Sequence, residues 1–157
     1  MDIKLTALTN IPQQTFIELM NLPEVKKHMP LIGDEFSVAD YHAFIAAKQH
    51  LWAAHGYGPY AILINATFAG WGGLQQEGED VDLGLVLHPN FWGHGLKLLE
   101  LFKKQAFDDM ALPAITALLP TSRLNSRALR RLGFIATQPV QLNGHAFTRF
   151  CLVNQRP

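Results

Sequence analysis

The stretch from residue 60 to residue 87 is the tightest constraint on the fold. Tyr60-Ala61-Ile62-Leu63-Ile64 reads as a strand, and Asn65-Ala66 as a tight turn. A second strand runs from Phe68 to about Gln75, and Glu77-Gly78-Glu79-Asp80 is a second turn. Val81, Leu83, Leu85 and Leu87 then alternate with other residues, which is the period of a half-buried strand. Turns this short cannot carry a crossover helix, so the three strands form an antiparallel meander. An all-parallel sheet and a helix bundle are both excluded for this part of the chain.

The flanks add helices and four more strands. Residues 2–8 carry Ile3, Leu5 and Leu8, a short strand, and 12–20 read as a helix through Phe16, Leu19 and Met20. One or two helical turns fit residues 24–29, between Pro23 and Pro30. Ser37-Val38-Ala39-Asp40 has the form of a capping box. Tyr41, Phe44, Ile45 and Trp52 keep helical spacing from there to about His55, and Gly56-Tyr57-Gly58-Pro59 stops the helix. Beyond the meander, Leu98, Leu99, Phe102 and Ala106 mark a helix. Ala114–Leu119 is a continuous apolar run and reads as a buried strand. Pro120 and Thr121 or Ser122 open a further helix, with Leu124, Ala128 and Leu132 on one face and Gly133 at its end. Phe134–Thr137 and His145–Val153 close the chain as a hairpin turning near Asn143-Gly144. The expected class is α+β, a mixed and mostly antiparallel sheet of about seven strands flanked by helices, in one domain over residues 1–157.

Composition removes several functions. Of 157 residues, 48% are hydrophobic, enough for a core. Lys+Arg number 13 and Asp+Glu 13, so there is no broad basic surface for nucleic acid and no polybasic membrane anchor. No apolar run approaches the ~18 residues of a membrane span. Met1-Asp2-Ile3-Lys4 does not open a signal peptide. Cys151, the one cysteine, excludes a disulfide framework and a cysteine zinc cluster. Its apolar neighbours Phe150, Leu152 and Val153 read as strand packing, and a reducing, cytoplasmic location is the simplest expectation. The 7 histidines include no His-x-x-x-His pair, so no metal is expected.

The segment suited to chemistry follows the meander. His88-Pro89-Asn90-Phe91-Trp92-Gly93-His94-Gly95 joins a strand end to a helix N-terminus. Unpaired N–H groups and the helix dipole there favour an anion such as a pyrophosphate, and glycines admit it closely. A Walker loop needs glycines spaced further apart, with Lys and Ser/Thr directly after the second. A dinucleotide fingerprint needs a glycine where Leu98 stands. The plain alternative is a glycine turn that serves only geometry.

Three stretches carry a family resemblance. Leu22-Pro23-Glu24-Val25 through Pro30 is the first. Val81-Asp82-Leu83-Gly84 with Leu87–Gly95 is the second, and Pro120-Thr121-Ser122 through Leu129-Arg130-Arg131-Leu132-Gly133-Phe134 is the third. In this order they resemble the GNAT superfamily of N-acetyltransferases, and most closely its ribosomal-protein alanine N-acetyltransferase branch. The resemblance implies acetyl-CoA as co-substrate, with acetyl transferred directly to a primary amine in a ternary complex. It implies a sheet splayed between the strands at 81–87 and 114–119. The pantetheine arm is expected on Leu85, Val86 and Leu87, and the pyrophosphate on Trp92, Gly93, His94, Gly95, Leu96 and Lys97. Ser122 and Asn125 are expected to complete the cofactor site.

The departures from the pattern matter. Lys97 stands where a small residue is expected, and its ammonium can clamp phosphate. Leu129 stands where many relatives place a proton-donating Tyr. Asn125 can donate a hydrogen bond to the leaving sulfur but cannot readily give up a proton. Asp82 is the first candidate for the base that deprotonates the amine, with Glu77, Glu79, His88 and His145 as alternatives. The acceptor is a protein N-terminus or a small amine, and the protein a monomer or homodimer. The rival readings are a non-catalytic acyl-CoA-binding or regulatory domain on the same fold and a purely structural partner-binding module. The acids Glu77, Glu79, Asp80 and Asp82 precede the glycine turn, whereas Lys97, Lys103, Lys104, Arg123, Arg127, Arg130 and Arg131 follow it. That separation suits a cationic acceptor on one side of a cleft and an anionic co-substrate on the other.

Overall fold

The computed structural model describes residues 2–121 and 126–155. Its meander is set by local turn chemistry. Asn65 and Ala66 both take positive φ (50° and 68°), the backbone of a two-residue hairpin turn. They join β2 (Tyr60–Ile64) to β3 (Thr67–Glu77), and a turn at Gly78 leads into β4 (Asp80–Leu87). With β1 (Ile3–Thr6), β5 (Ala114–Pro120), β6 (Ile135–Leu142) and β7 (His145–Val153) they form one sheet in the order β1-β2-β3-β4-β5-β7-β6. All neighbours are antiparallel except β4 and β5. Those two are parallel and share a single residue pair, Asp82 with Thr116. The splay expected between residues 81–87 and 114–119 is therefore present.

Strand alternation sends side chains to two faces, each with its own core. One face carries Ala61 and Trp71 and is covered by α1 (Gln13–Asn21), α2 (Pro23–Lys26) and α3 (Val38–His55). Phe16, fully buried, lies among Phe36, Tyr41, Phe44, Phe68 and Trp71 there. The other face carries Ile62, Leu74, Leu83, Ile115 and Phe150 under α4 (Gly95–Lys104) and α5 (Arg127–Arg131). Leu98, Phe102 and Ala106 are fully buried along α4 and its π-helical continuation Gln105–Asp109, as their spacing predicts. The two cores differ in consequence: the first stops at β3 and β4, so Asp82 on β4 and Thr116, Arg149 and Cys151 beyond it stay only half-buried.

Four elements differ from the sequence reading. Pro120, read as opening a helix, ends β5 opposite Phe147, and α5 starts only at Arg127. Leu8 leaves the first strand and enters a 3-10 turn, Leu8–Asn10. The run 114–119 is not buried on both sides, since Ile115 and Ala117 face the core while Thr116 and Leu118 are half-exposed. β6 is longer than the expected 134–137 and holds Pro139. It lies at the sheet edge, where a residue without an N–H is tolerated and where no buried face imposes alternation.

The capping box forms as read. The Ser37 hydroxyl accepts the Asp40 N–H at 3.1 Å, and the Asp40 carboxylate accepts the Ser37 N–H at 2.9 Å. Ser37→Ala is expected to cost about 1 kcal/mol, lowering Tm by roughly 2–4 °C. A thermal melt coincident with wild type would show that the cap adds nothing.

Candidate active site where two strands diverge

Asp82 sits at the vertex of the splay. Thr116 Oγ1 on β5 donates to Asp82 Oδ1 at 2.8 Å. Burial pushes the Asp82 carboxyl up to about 6, against the opposing effect of the Thr116 hydrogen bond. Glu77 pushes it further up, whereas Arg149 and Lys48 hold it down. Across the meander Asp82 pairs with Gln75, Gly84 with Gly73, and Val86 with Trp71. Neither member of the middle pair has a side chain, and a Cβ built on Gly84 would meet nothing within 4 Å. An open cell therefore lies beside Gly84, between Asp82 and Val86 on β4, whereas at Gly73 a side chain would meet Gly58, Pro59 and the Phe102 ring. Among the described residues the edge of β4 beyond Asp82 has no strand partner, so alternate N–H groups of residues 84–87 are left unpaired by the sheet.

The turn after β4 is built by its own polar atoms. Trp92 Nε1 donates to the Leu87 carbonyl at 2.9 Å, which folds the turn Pro89–His94 back onto the strand end. The indole nevertheless stays 49% exposed. His88 Nδ1 accepts the Asn90 N–H at 3.1 Å, so His88 caps this turn. α4 then starts at Gly95 with no side chain capping its first turn. The Gly95 N–H donates to the Trp92 carbonyl, so the positive end of the helix dipole falls to the N–H groups that follow it in the first turn. A Cβ at Gly93 or Gly95 would meet nothing of the protein within 4 Å, and neither φ is positive. The chain itself thus has no need of glycine at these positions, whereas a close-lying phosphate does.

The sequence profile of the acetyltransferase (GNAT) domain matches residues 4–135. The chain belongs to the GNAT acetyltransferase family. It is an acetyltransferase, and acetyl-CoA is its co-substrate. Solved GNAT structures share the fold at low identity. The spermidine N-acetyltransferase of Vibrio cholerae, in complex with CoA and spermine, has a TM-score of 0.77 at 12% identity, over 97% of this chain and 95% of that one. A GNAT-family acetyltransferase of Bacillus anthracis gives 0.75 at 13%, over 98% and 95%. An aminoglycoside acetyltransferase in complex with coenzyme A gives 0.73 at 16%, over 98% and 94%. No curated protein matches by sequence.

In this GNAT domain one strand-turn-helix unit holds most of the expected site. Leu85 and Val86 are half-buried on β4, and Leu87 is turned into the core. Trp92, Gly93, His94, Gly95, Leu96 and Lys97 follow on the turn and the first turn of α4, with Lys97 exposed. Ser122 and Asn125 lie outside the described residues. Leu129, at the position of the missing Tyr, is buried among the core of the α4 face. Among the alternative bases, Glu77 accepts from Gln75 Nε2 at 2.5 Å, Glu79 is exposed at the β3–β4 turn, and His145 is exposed at the far hairpin. Among the described residues no group of His, Cys, Asp and Glu could hold a metal ion. No helix there is long and apolar enough to cross a membrane.

The sequence reading passed over Thr116, Gln75 and Lys48. Thr116 had a signal, the lone hydroxyl in an apolar strand. Lys48 had none, because its neighbours come from β3 and β4.

Proposed function

We propose that residues 1–157 form one N-acetyltransferase domain that moves acetyl from acetyl-CoA to a primary amine by direct transfer. The observation that carries this is the single β4–β5 residue pair, which leaves a carboxylate at the vertex of a gap with an uncapped helix N-terminus at its far end. Acetyl-CoA supplies an activated thioester carbonyl. Residues Leu85, Val86 and Leu87 would hold its pantetheine arm through backbone groups, and the turn Trp92–Lys97 its pyrophosphate. Lys97 would add charge to the phosphates from the first turn of α4. Ser122 and Asn125 keep their place in the site on sequence grounds alone.

The amine must be neutral to attack, and Asp82 would take its proton directly or through water. A carboxyl poised near 6 remains ionised at neutral pH yet is a better base than an ordinary aspartate. A backbone N–H near Leu85 or Val86 would stabilise the oxyanion as the C–N bond forms. The C–S bond then breaks, the nitrogen sheds its second proton through water to the thiolate, and CoA leaves as the thiol; a hydrogen bond from Asn125 to the sulfur is assigned on sequence grounds alone. The resemblance to the alanine N-acetyltransferase branch supports a protein N-terminus as acceptor, and the spermidine and aminoglycoside enzymes support small amines. The lone half-buried thiol of Cys151 fits a reducing cytoplasm.

The test is release of free CoA with a panel of amines and peptide N-termini. Binding of acetyl-CoA with no release across the panel would favour the acyl-CoA-binding reading that Leu129 motivates. A separate variant probes the phosphate site. Gly95→Asp is expected to weaken acetyl-CoA binding at least about tenfold by calorimetry, because it sets a carboxylate against the pyrophosphate. Its fold should survive, since a side chain there meets no protein atom within 4 Å. Unchanged affinity would misplace the phosphate site.

A further inference from the structure

One cation stands near enough to Asp82 to bear on its charge, and the proposed transfer does not use it. Lys48, half-buried on α3, donates to Gln75 Oε1 at 2.7 Å. Its ammonium lies 5.1 Å from the Phe44 ring centroid and 5.6 Å from that of Trp71. Burial holds its pKa below the usual lysine range, against the raising effect of the Glu77 and Asp82 charges. It forms no ion pair among the described residues, and Gln75 is its one hydrogen-bond acceptor there. An ammonium has three N–H donors, so two remain for a ligand.

Resting on the reading of Asp82 as the amine site, we infer that Lys48 receives the oxygen of an acceptor whose reactive amine lies beside a carbonyl or carboxylate. Gln75 is the cross-strand partner of Asp82, so its hydrogen bond from Lys48 brings the ammonium to the part of the sheet that carries Asp82, close enough for each charge to act on the other. A cation and an anion set this way complement an α-amino group and its neighbouring carbonyl oxygen. The same arrangement disfavours a second ammonium on the acceptor. The aromatic faces of Phe44 and Trp71, which would otherwise attract such a cation, already carry the protein's own. Of the acids at the β3–β4 turn, Asp80 is paired with Arg149 at 3.3 Å. The chemistry is shared by free amino acids and by peptide N-termini.

The experiment measures kcat/KM by CoA release for alanine, alaninamide, a short amidated peptide with a free N-terminus, propylamine and 1,3-diaminopropane. It uses the wild-type chain and Lys48→Met. The wild type is expected to prefer the amines bearing a neighbouring oxygen, and the diamine to be the poorest. In Lys48→Met the ratio of alaninamide to propylamine should fall by about ten- to hundredfold, the loss of a hydrogen bond to a charged group. The fall should appear in KM. Comparing the ratio between two proteins cancels the different basicities of the amines. Preference for alanine over the peptide would assign a free amino acid, and the reverse a peptide N-terminus. A wild type that favours the diamine, or a ratio unmoved in Lys48→Met, overturns the inference while leaving the transferase reading intact. No release of CoA with these amines or with the wider panel overturns both. Should Lys48→Met not fold, Lys48→Gln, of similar reach and without the charge, is expected to lower the same ratio, and a ratio unmoved there overturns the inference equally.

Discussion

Asp82→Asn is expected to lower kcat by about 10²–10⁴-fold, the usual contribution of a positioned general base. The pH profile should change with it. The Asp82 carboxyl titrates near 6 and acts only when ionised, so the wild-type rate should rise with pH through about 6 and level off above. The variant should lose that limb. Stability should move the other way. A folded-state value raised from 3.8 to about 6 means the folded chain holds the proton more tightly than the unfolded one. The stability this group contributes is complete below pH 3.8 and is lost as pH rises through about 6. At neutral pH the native state therefore carries a buried charge costing roughly 2–3 kcal/mol. Asparagine keeps an oxygen for the Thr116 hydroxyl and carries no charge. Asp82→Asn should thus melt about 5–10 °C higher than wild type at pH 8, and the gap should close toward pH 4. Stability gained with activity lost is the signature of a residue held for function. An active variant, or one no more stable at pH 8, would remove Asp82 from the base's role.

The second large effect falls on the sheet that supports β4. Gly70 on β3 has φ +154°, and a Cβ there would overlap the Val86 carbonyl oxygen. The obstacle is backbone on both sides, so no side chain can swing away. Gly70→Ala is expected to cost at least about 3 kcal/mol, which combines overlap with strain at an unfavourable φ. For a chain of this size that lowers Tm by roughly 10 °C. Gly84→Ala is the matched control, because its Cβ meets nothing within 4 Å and its φ is ordinary. Thermal or urea denaturation of the pair distinguishes the positions. Equal stability would mean that β3 and β4 can move apart, and the cell beside Asp82 would not be rigid.

Much of this architecture is legible residue by residue. Alternation in Val81–Leu87, the Asn65-Ala66 and Asn143-Gly144 turns and the Ser37–Asp40 box are all local signals, each decided within a few residues. They suffice for element order, and the three motif stretches suffice for the family. The strand-turn-helix unit from Asp82 to Lys97 is legible for the same reason, since it is one continuous segment. β6 was read short because an edge strand with Pro139 has no buried face to impose a period.

The meander, the glycine turn and the family they spell are thus written in the chain itself. The surroundings of the carboxylate come from packing between distant elements. Thr116 meets Asp82 because β5 returns parallel to β4 for a single residue pair. Lys48 comes near Asp82 because α3 packs on β3, where Lys48 bonds Gln75 and lies over Trp71. The charge of Asp82 depends on how much water these elements exclude and which charges they bring near. Desolvation and Coulomb forces act through space, so no local pattern in the chain could encode them.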